Sequence, residues 1–359
     1  MVRKPGYLWL PFAGRIGSVT ALWLSLAFRT LGTTMGECTE AISGAACLLL
    51  CTAWVACEVA QEPGPPAPAP RDPPVSTGRS TDPDTRTRVI LLGTGTPIPD
   101  PRRAGPATAV VVGSRAYLVD AGPGVVRRAA EVAAAGVSAL KPTGLARVFV
   151  THLHSDHTVG LADLMLTPAV VGRSTPLQVM GPPGIADMVE HLQAAYAVDL
   201  QVRAEVEGAS AGYRLQVTEV GAGTVYRDEA VTVRPIRVQH GSFQHAFGYR
   251  FEGPDRVVVV SGDTAPSDAL IQACSGCDVL VHEVYCEAGL RSLPASVRAY
   301  HEAFHTSSRQ LAQVAKRARP RLLVLTHLLP FGCSEAELLA ELRRNYGGEV
   351  VLGEDKGVY

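Results

Sequence analysis

The chain has 359 residues, of which 47% are hydrophobic and 19% charged, and its formal net charge is −1. That length supports one large domain or two ordinary ones with a buried core. The near-zero charge excludes a strongly basic nucleic-acid binder and an acidic disordered tail as descriptions of the whole molecule.

Residues 1–60 read as a leader. Arg3, Lys4 and Arg15 precede an apolar run from Ile16 to Phe28, and a second run, AACLLLCTAWVAC, spans Ala45 to Cys57. Both fall short of the roughly 20 residues that a membrane-spanning helix needs. A basic start before a short apolar run is an export-signal pattern, so an exported, periplasmic or membrane-anchored protein is expected. Val55-Ala56-Cys57 resembles a lipoprotein cleavage site with Cys57 as the lipidated residue, although Trp54 stands where an aliphatic is usual. Through such a leader the protein would be tethered to a membrane. The competing reading is an upstream extension from a wrongly assigned start, which leaves a cytoplasmic protein. Residues 61–87 are a linker: eight prolines fall between Pro63 and Pro83. Such a stretch cannot bury a core and acts as an extended tether.

The body, 88–359, is regular. RVILLG, ATAVVVG and AYLVDAG read as short strands, and Val125 to Gly136 as a helix. ARVFVTH is an apolar strand that runs into a histidine cluster. Pro183 to Ala197 looks helical. TVYRDEAVTVRPIRVQH, FGYRFEG, RVVVVSGD and DVLVHEVY read as strands. Ser307 to Arg319 is helical, and RLLVLTH is expected as the last buried strand. Alternation in two successive groups predicts a layered α/β protein with two sheets between helices. Cys274 and Cys277 form the only CxxC of the body. Without a second pair they are not expected to hold a structural zinc. The body cysteines read as packed thiols, with a local Cys274–Cys277 disulfide as the alternative in an oxidising compartment.

Ten histidines are present, none before His152, and three fall between 152 and 157. Thr151-His152-Leu153-His154-Ser155-Asp156-His157 follows a strand. This spacing aims two imidazoles at one point and Asp156 with His157 at another. Neutral imidazole and carboxylate suit zinc and similar divalent ions.

HLHSDH resembles the signature of the metallo-β-lactamase fold hydrolases, and the surrounding pieces resemble the branch that contains ribonuclease Z and the zinc-dependent arylsulfatases. The resemblance runs from about Val89 to Gly353. In order, LLGTGTPIPDPRR, YLVDAGPG with Asp120, HGSFQHAFGYRF with His240, VVVVSGDT with Asp263, VHEVY, FHTSS and VLTHL with His327 match that branch. It implies a four-layer αββα sandwich. It also implies two metal sites, one taking His152, His154 and His240 and the other Asp156, His157 and His327, with Asp263 and a water or hydroxide between them. Two zinc ions per chain are expected; manganese or iron suit the same donors. Further implied roles are an attack-orienting Asp156, a proton-donating His305, a Glu283 that holds the His305 ring, and a His282 behind the ligands. A helix-start residue is the plainer reading of His305. Asp120 is expected to hydrogen-bond the ligand loop from below. His191, His245 and His301 are given no role. The implied assembly is a homodimer.

The expected chemistry is hydrolysis of a phosphodiester or sulfate ester by a metal-bridging hydroxide. Ribonuclease Z usually carries a long basic arm between its GYR element and the following Asp, and that arm clamps transfer RNA. Only RFEGPDRVVVVSG separates Tyr249 from Asp263 here. Missing arm, near-neutral charge and leader together favour a small-molecule ester over transfer RNA. The alternatives are a ribonuclease Z-like endoribonuclease processing transfer RNA 3′ ends and a non-catalytic metal-binding protein. A lactonase or true β-lactamase rests on fold alone.

Overall fold

The computed structural model describes residues 86–359 apart from 209 and 222. The expected leader, and the expected linker up to residue 85, lie outside the described residues. Thr87, the last residue of that linker, opens the first strand.

Six strands form one sheet in the order β1 (Thr87–Gly93), β2 (Ala107–Val112), β3 (Arg115–Val119), β4 (Arg147–Phe149), β5 (Leu177–Gly181) and β6 (Leu215–Glu219). Seven form the other, whose order reverses the sequence: β13 (Val350–Leu352), β12 (Leu322–Leu329), β11 (Val279–Tyr285), β10 (Val257–Val260), β9 (Phe243–Glu252), β8 (Thr232–His240) and β7 (Tyr226–Arg227). The helices in chain order are α1 (Val125–Ala134), α2 (Ser155–Thr158), α3 (Leu161–Val170), α4 (Ile185–Ala195), α5 (Ala197–Glu207), α6 (Asp268–Cys274), α7 (Glu287–Arg291), α8 (Ala295–Phe304), α9 (Ser308–Ala318) and α10 (Glu335–Arg343).

Strand alternation sorts the apolar residues into three cores. Val89, Leu91, Val110, Tyr117 and Phe149 of the first sheet meet Phe247, Tyr249, Phe251, Val258 and Val281 of the second. Ile90, Ala109, Leu118 and Val179 point the other way, onto α1, α3 and α4. Val259, Leu280, Leu323 and Leu325 pack against α6, α9 and α10. The result is the expected four-layer αββα sandwich. Leu311, Val314, Ala315 and Ala318 give α9 its buried stripe at helical spacing. The helix starts with a capping box: Gln310 N donates to Ser307 Oγ at 3.1 Å, and Ser307 N donates to Gln310 Oε1 at 2.9 Å. That cap fixes the chain two residues after His305.

Several expectations need correction. TVYRDEAVTVRPIRVQH is two strands, β7 and β8, because Asp228 Oδ1 accepts from Ala230 N and Val231 N and turns the chain between them. RLLVLTH is followed by a further strand, β13, paired parallel to β12. The body cysteines are not packed thiols: disulfides join Cys274 to Cys277 and Cys286 to Cys333. The second joins the residue that follows β11 to the loop between β12 and α10. A charged residue sits wholly in the interior. The Arg173 guanidinium donates to the carbonyls of Leu145, Leu164, Met165 and Gly212 at 2.8–3.0 Å. These bonds join α3 to two loops and offset its desolvation.

Candidate metal centre

The predicted ligands converge at one edge of the sandwich, between the two sheets' loop ends. β4 delivers the segment 150–154, and α2 opens immediately after His154. His154 Nδ1 lies 3.0 Å from His152 Nε2 and 3.1 Å from His240 Nε2. In the second group, His327 Nε2 lies 3.3 Å from both Asp156 Oδ2 and Asp263 Oδ2. His157 Nε2 lies 3.4 Å from Asp263 Oδ2 and 3.6 Å from Asp156 Oδ2. Asp263 Oδ2 is also 4.0 Å from His152 Nε2, so this carboxylate stands between the two groups. Four ligands placed tetrahedrally about 2.0–2.1 Å from a zinc ion stand about 3.3 Å from one another. The observed separations fit that donor set.

Two of these histidines sit where a strand is irregular. His327 lies inside β12 at φ +46°, and the pairing with β11 slips between Glu283 and Val284. His240 ends β8 where the pairing with β9 slips after Val238. Each irregularity re-aims one side chain toward the rim. Gly262 has φ +59°, and a Cβ there would lie 2.8 Å from the Phe247 carbonyl oxygen, so only glycine lets Asp263 reach the centre.

Asp120 supports the ligands from beneath. Its Oδ1 accepts from Thr151 N at 2.7 Å. Its Oδ2 accepts from Thr151 Oγ1 at 2.9 Å and from His157 Nδ1 at 2.8 Å. Having donated its proton, Thr151 Oγ1 accepts from His152 Nδ1 at 2.9 Å. His240 Nδ1 donates to the Phe304 carbonyl at 2.7 Å. In the His152 and His240 rings the proton is therefore on Nδ1 and Nε2 presents a lone pair to the centre, while the Asp120 bond keeps the Nδ1 proton of His157 in place and leaves its Nε2 as the atom that gives up a proton to face a cation. The Nε2 of His157 is buried without a hydrogen-bond partner, as expected of a ligand atom.

Opposite charges are paired within the cluster. Burial holds His152 well below its ordinary value, and the neighbouring His157 adds to this. Burial also lowers His154 and brings His240 down to about 4. These three are neutral, as ligands must be. His157 and His327 are the reverse: burial opposes their charge, but Asp263 together with Asp120 or Asp156 holds both above the usual imidazole value. Burial likewise opposes the charge of Asp263, yet His327 and His157 hold it well below the usual carboxylate range.

His305 joins the cluster from the loop between α8 and α9. Its Nδ1 lies 3.9 Å from Asp263 Oδ2 and 3.5 Å from Glu283 Oε2. Its ring atoms also stand with Asp263 and His327 as a third group able to hold a cation. Burial brings His305 down to about 4, so it is neutral at pH 7. Glu283 is fixed by Thr306 N, which donates to its Oε1 at 2.8 Å. Burial and the adjacent Asp263 hold its carboxyl well above the usual range. His282 is fully buried, donates from Nδ1 to the Glu283 carbonyl at 2.7 Å, and lies outside the clusters. His191 is exposed, and His245 faces Arg237. His301 has its ring 5.6 Å from that of His305, closer to the centre than the sequence suggests. Sequence reading also passed over Thr151, Phe243, Phe304 and Tyr300, which carry no metal-binding chemistry.

A family model described as a beta-lactamase superfamily domain matches residues 115–328. Ribonuclease Z of Mycobacterium bovis (strain BCG / Pasteur 1173P2) is 38% identical over 273 residues, covering 74% of this chain and 95% of that one. Ribonuclease Z of Mycobacterium sp. (strain KMS) is 39% identical over 273 residues, covering 74% and 93%. Among solved structures, the metallo-β-lactamase fold protein YhfI of Bacillus subtilis has a TM-score of 0.58 at 19% identity, covering 76% of this chain and 99% of that one. Human tRNase Z, short form, has a TM-score of 0.56 at 24% identity, covering 76% and 98%. These two structural likenesses show the fold.

Proposed function

Since the chain belongs to the β-lactamase superfamily and, within it, to the ribonuclease Z family, we propose that it is an endoribonuclease that hydrolyses a phosphodiester near the 3′ end of precursor transfer RNA. At the coarser level it is a metal-dependent hydrolase of phosphodiester bonds. The observation that carries the finer reading is the extent of the match: 273 positions take in 95% of the Mycobacterium bovis relative.

That match also favours transfer RNA over a small ester. β9 and β10 are joined by a tight turn, with Gly253 N donating to Arg256 O at 3.0 Å, so the arm is absent. Yet the aligned stretch takes in 74% of this chain and 95% of the relative, which leaves no room for a large insertion in either. Lack of an arm therefore does not separate this chain from relatives named ribonuclease Z.

In this proposal His152, His154, His240, Asp156, His157, His327 and Asp263 hold two divalent cations, zinc being favoured by the imidazole-rich set. Bound there, such cations lower the pKa of water and offset charge on the phosphate. Asp156 orients the attacking water. His305 faces the leaving oxygen with Glu283 at its back. It is neutral in the free chain, and the substrate's negative charge favours the proton that it must carry as an acid.

A substrate panel tests the reading. Full-length protein loaded with zinc is given precursor transfer RNA with a 3′ trailer, bis(p-nitrophenyl) phosphate and p-nitrophenyl sulfate. Trailer removal with a kcat/KM far above that of either small ester supports it. Turnover of the small esters with intact precursor refutes it and restores the small-ester alternative.

A further inference from the structure

We infer that Tyr300 and Phe304 form a stacking platform for a nucleobase next to the scissile phosphate. This rests on the RNA-cleaving reading above. The Phe304 ring stands 4.9 Å from that of His240 and lies nearly parallel to His154, 6.3 Å away. Tyr300 stacks on the outer side of Phe304, with centroids 4.3 Å apart and planes within 22°. Tyr300 is 46% exposed. A column of near-parallel rings thus runs from His154 through Phe304 to the exposed Tyr300, with His240 meeting Phe304 edge to face. Phe243 closes the other flank, 4.5 Å from the His154 ring.

α8, which carries both residues, has no buried side chain. Gly241 N donates to the Ala303 carbonyl, and His240 Nδ1 to the Phe304 carbonyl, at 3.0 and 2.7 Å. The helix end is therefore bonded directly to the segment that carries a ligand. Gly241 is bare at φ +51°, and a Cβ there would lie 2.1 Å from the Phe304 ring. The backbone is cleared so that this ring can lie against the centre. Burial raises the Tyr300 phenol, and the Asp263 and Asp156 carboxylates add to that, so the ring is within their field.

A half-exposed aromatic face beside a phosphate-cleaving centre suits a flat, uncharged ring. Every base presents such a face, so the platform selects unpaired nucleotides without reading their identity. A stacked base would hold its phosphodiester at the cations, and the binding would appear in KM.

The test compares two RNAs, one with normal bases beside the cleaved bond and one abasic there, using wild type, Tyr300→Ala and Tyr300→Trp. Metal content is measured on each. Tyr300→Ala is expected to raise KM about tenfold on the normal RNA, as losing one base stack does. On the abasic RNA its KM should match that of the wild type, and Tyr300→Trp should restore binding of the normal RNA. Equal losses on both RNAs, no loss on either, or a fall in metal content overturns the platform while leaving RNA cleavage standing. A wild type that cleaves neither RNA but hydrolyses bis(p-nitrophenyl) phosphate overturns the RNA reading, and the nucleobase platform with it.

Discussion

Replacing Asp120 by Asn changes one atom and tests how the ligands are oriented. Asp120 Oδ1 accepts one hydrogen bond and Oδ2 accepts two, one of them from His157 Nδ1. An asparagine has one oxygen for these three donors. If that oxygen faces Thr151 N, the new amide meets His157 Nδ1 and drives its proton to Nε2, onto the lone pair that a cation needs. If it faces His157, the amide opposes Thr151 N–H, a buried donor–donor contact that costs about 1–3 kcal/mol. Loss of a partner that orients a metal-binding histidine weakens binding by about 10- to 100-fold, or about 1.4–2.7 kcal/mol. The first arrangement places this loss on the cation held by His157. Competition against a chromophoric chelator resolves the two affinities, and thermal denaturation reads the second arrangement. Two affinities and a melting temperature all equal to those of the wild type would refute the orienting role.

Metal loading of the stripped protein at pH 7 should release protons, because His157 and His327 are held above the usual imidazole value and must become neutral; calorimetry in buffers of different ionisation enthalpy measures this. Affinity should therefore rise with pH. The stability that the two raised histidines give the metal-free fold is full below about pH 6.5 and is lost as pH rises through their folded values; a flat pH profile for both affinity and metal-free stability would contradict the charge balance. Arg173→Ala leaves four buried carbonyls without their donor and should destabilise by at least about 3 kcal/mol in denaturant melts while keeping the metal affinities. The Cys286–Cys333 disulfide closes a separation of 47 residues, for which chain entropy gives about 4 kcal/mol. Cys333→Ser should lower the melting temperature accordingly, and identical melts with and without reductant would show the disulfide absent in solution.

The candidate metal cluster was legible because its chemistry is carried by residue types. HLHSDH compresses four candidate ligands into six residues, and His240, Asp263 and His327 each lie in or just after a stretch that reads as a strand. The irregular pairings that aim His240 and His327 left no mark in the sequence, since a slip depends on the partner strand. Alternation and β-branched runs exposed the central strands. α8 was missed although Val297, Tyr300 and Phe304 recur at helical spacing, because that stripe is short and mixed with charged residues and none of its side chains is buried; its aromatic pair was missed with it. Cys286 and Cys333 looked like isolated thiols because only the β11–β12 pairing brings them together. Arg173 looked like a surface charge because its acceptors are backbone carbonyls. The missing arm was read correctly as a fact about the chain, but it does not separate a small ester from transfer RNA as substrate. Its meaning depended on relatives that also have no room for one.

The central claim is that two cations in this cluster make the chain an RNA phosphodiesterase. It is tested most directly by titrating metal-stripped, full-length protein with zinc while following trailer removal from precursor transfer RNA. The account predicts no cleavage by the stripped protein and activity that reaches its plateau at two equivalents per chain. Undiminished cleavage by stripped protein, or a plateau at one equivalent, would contradict it.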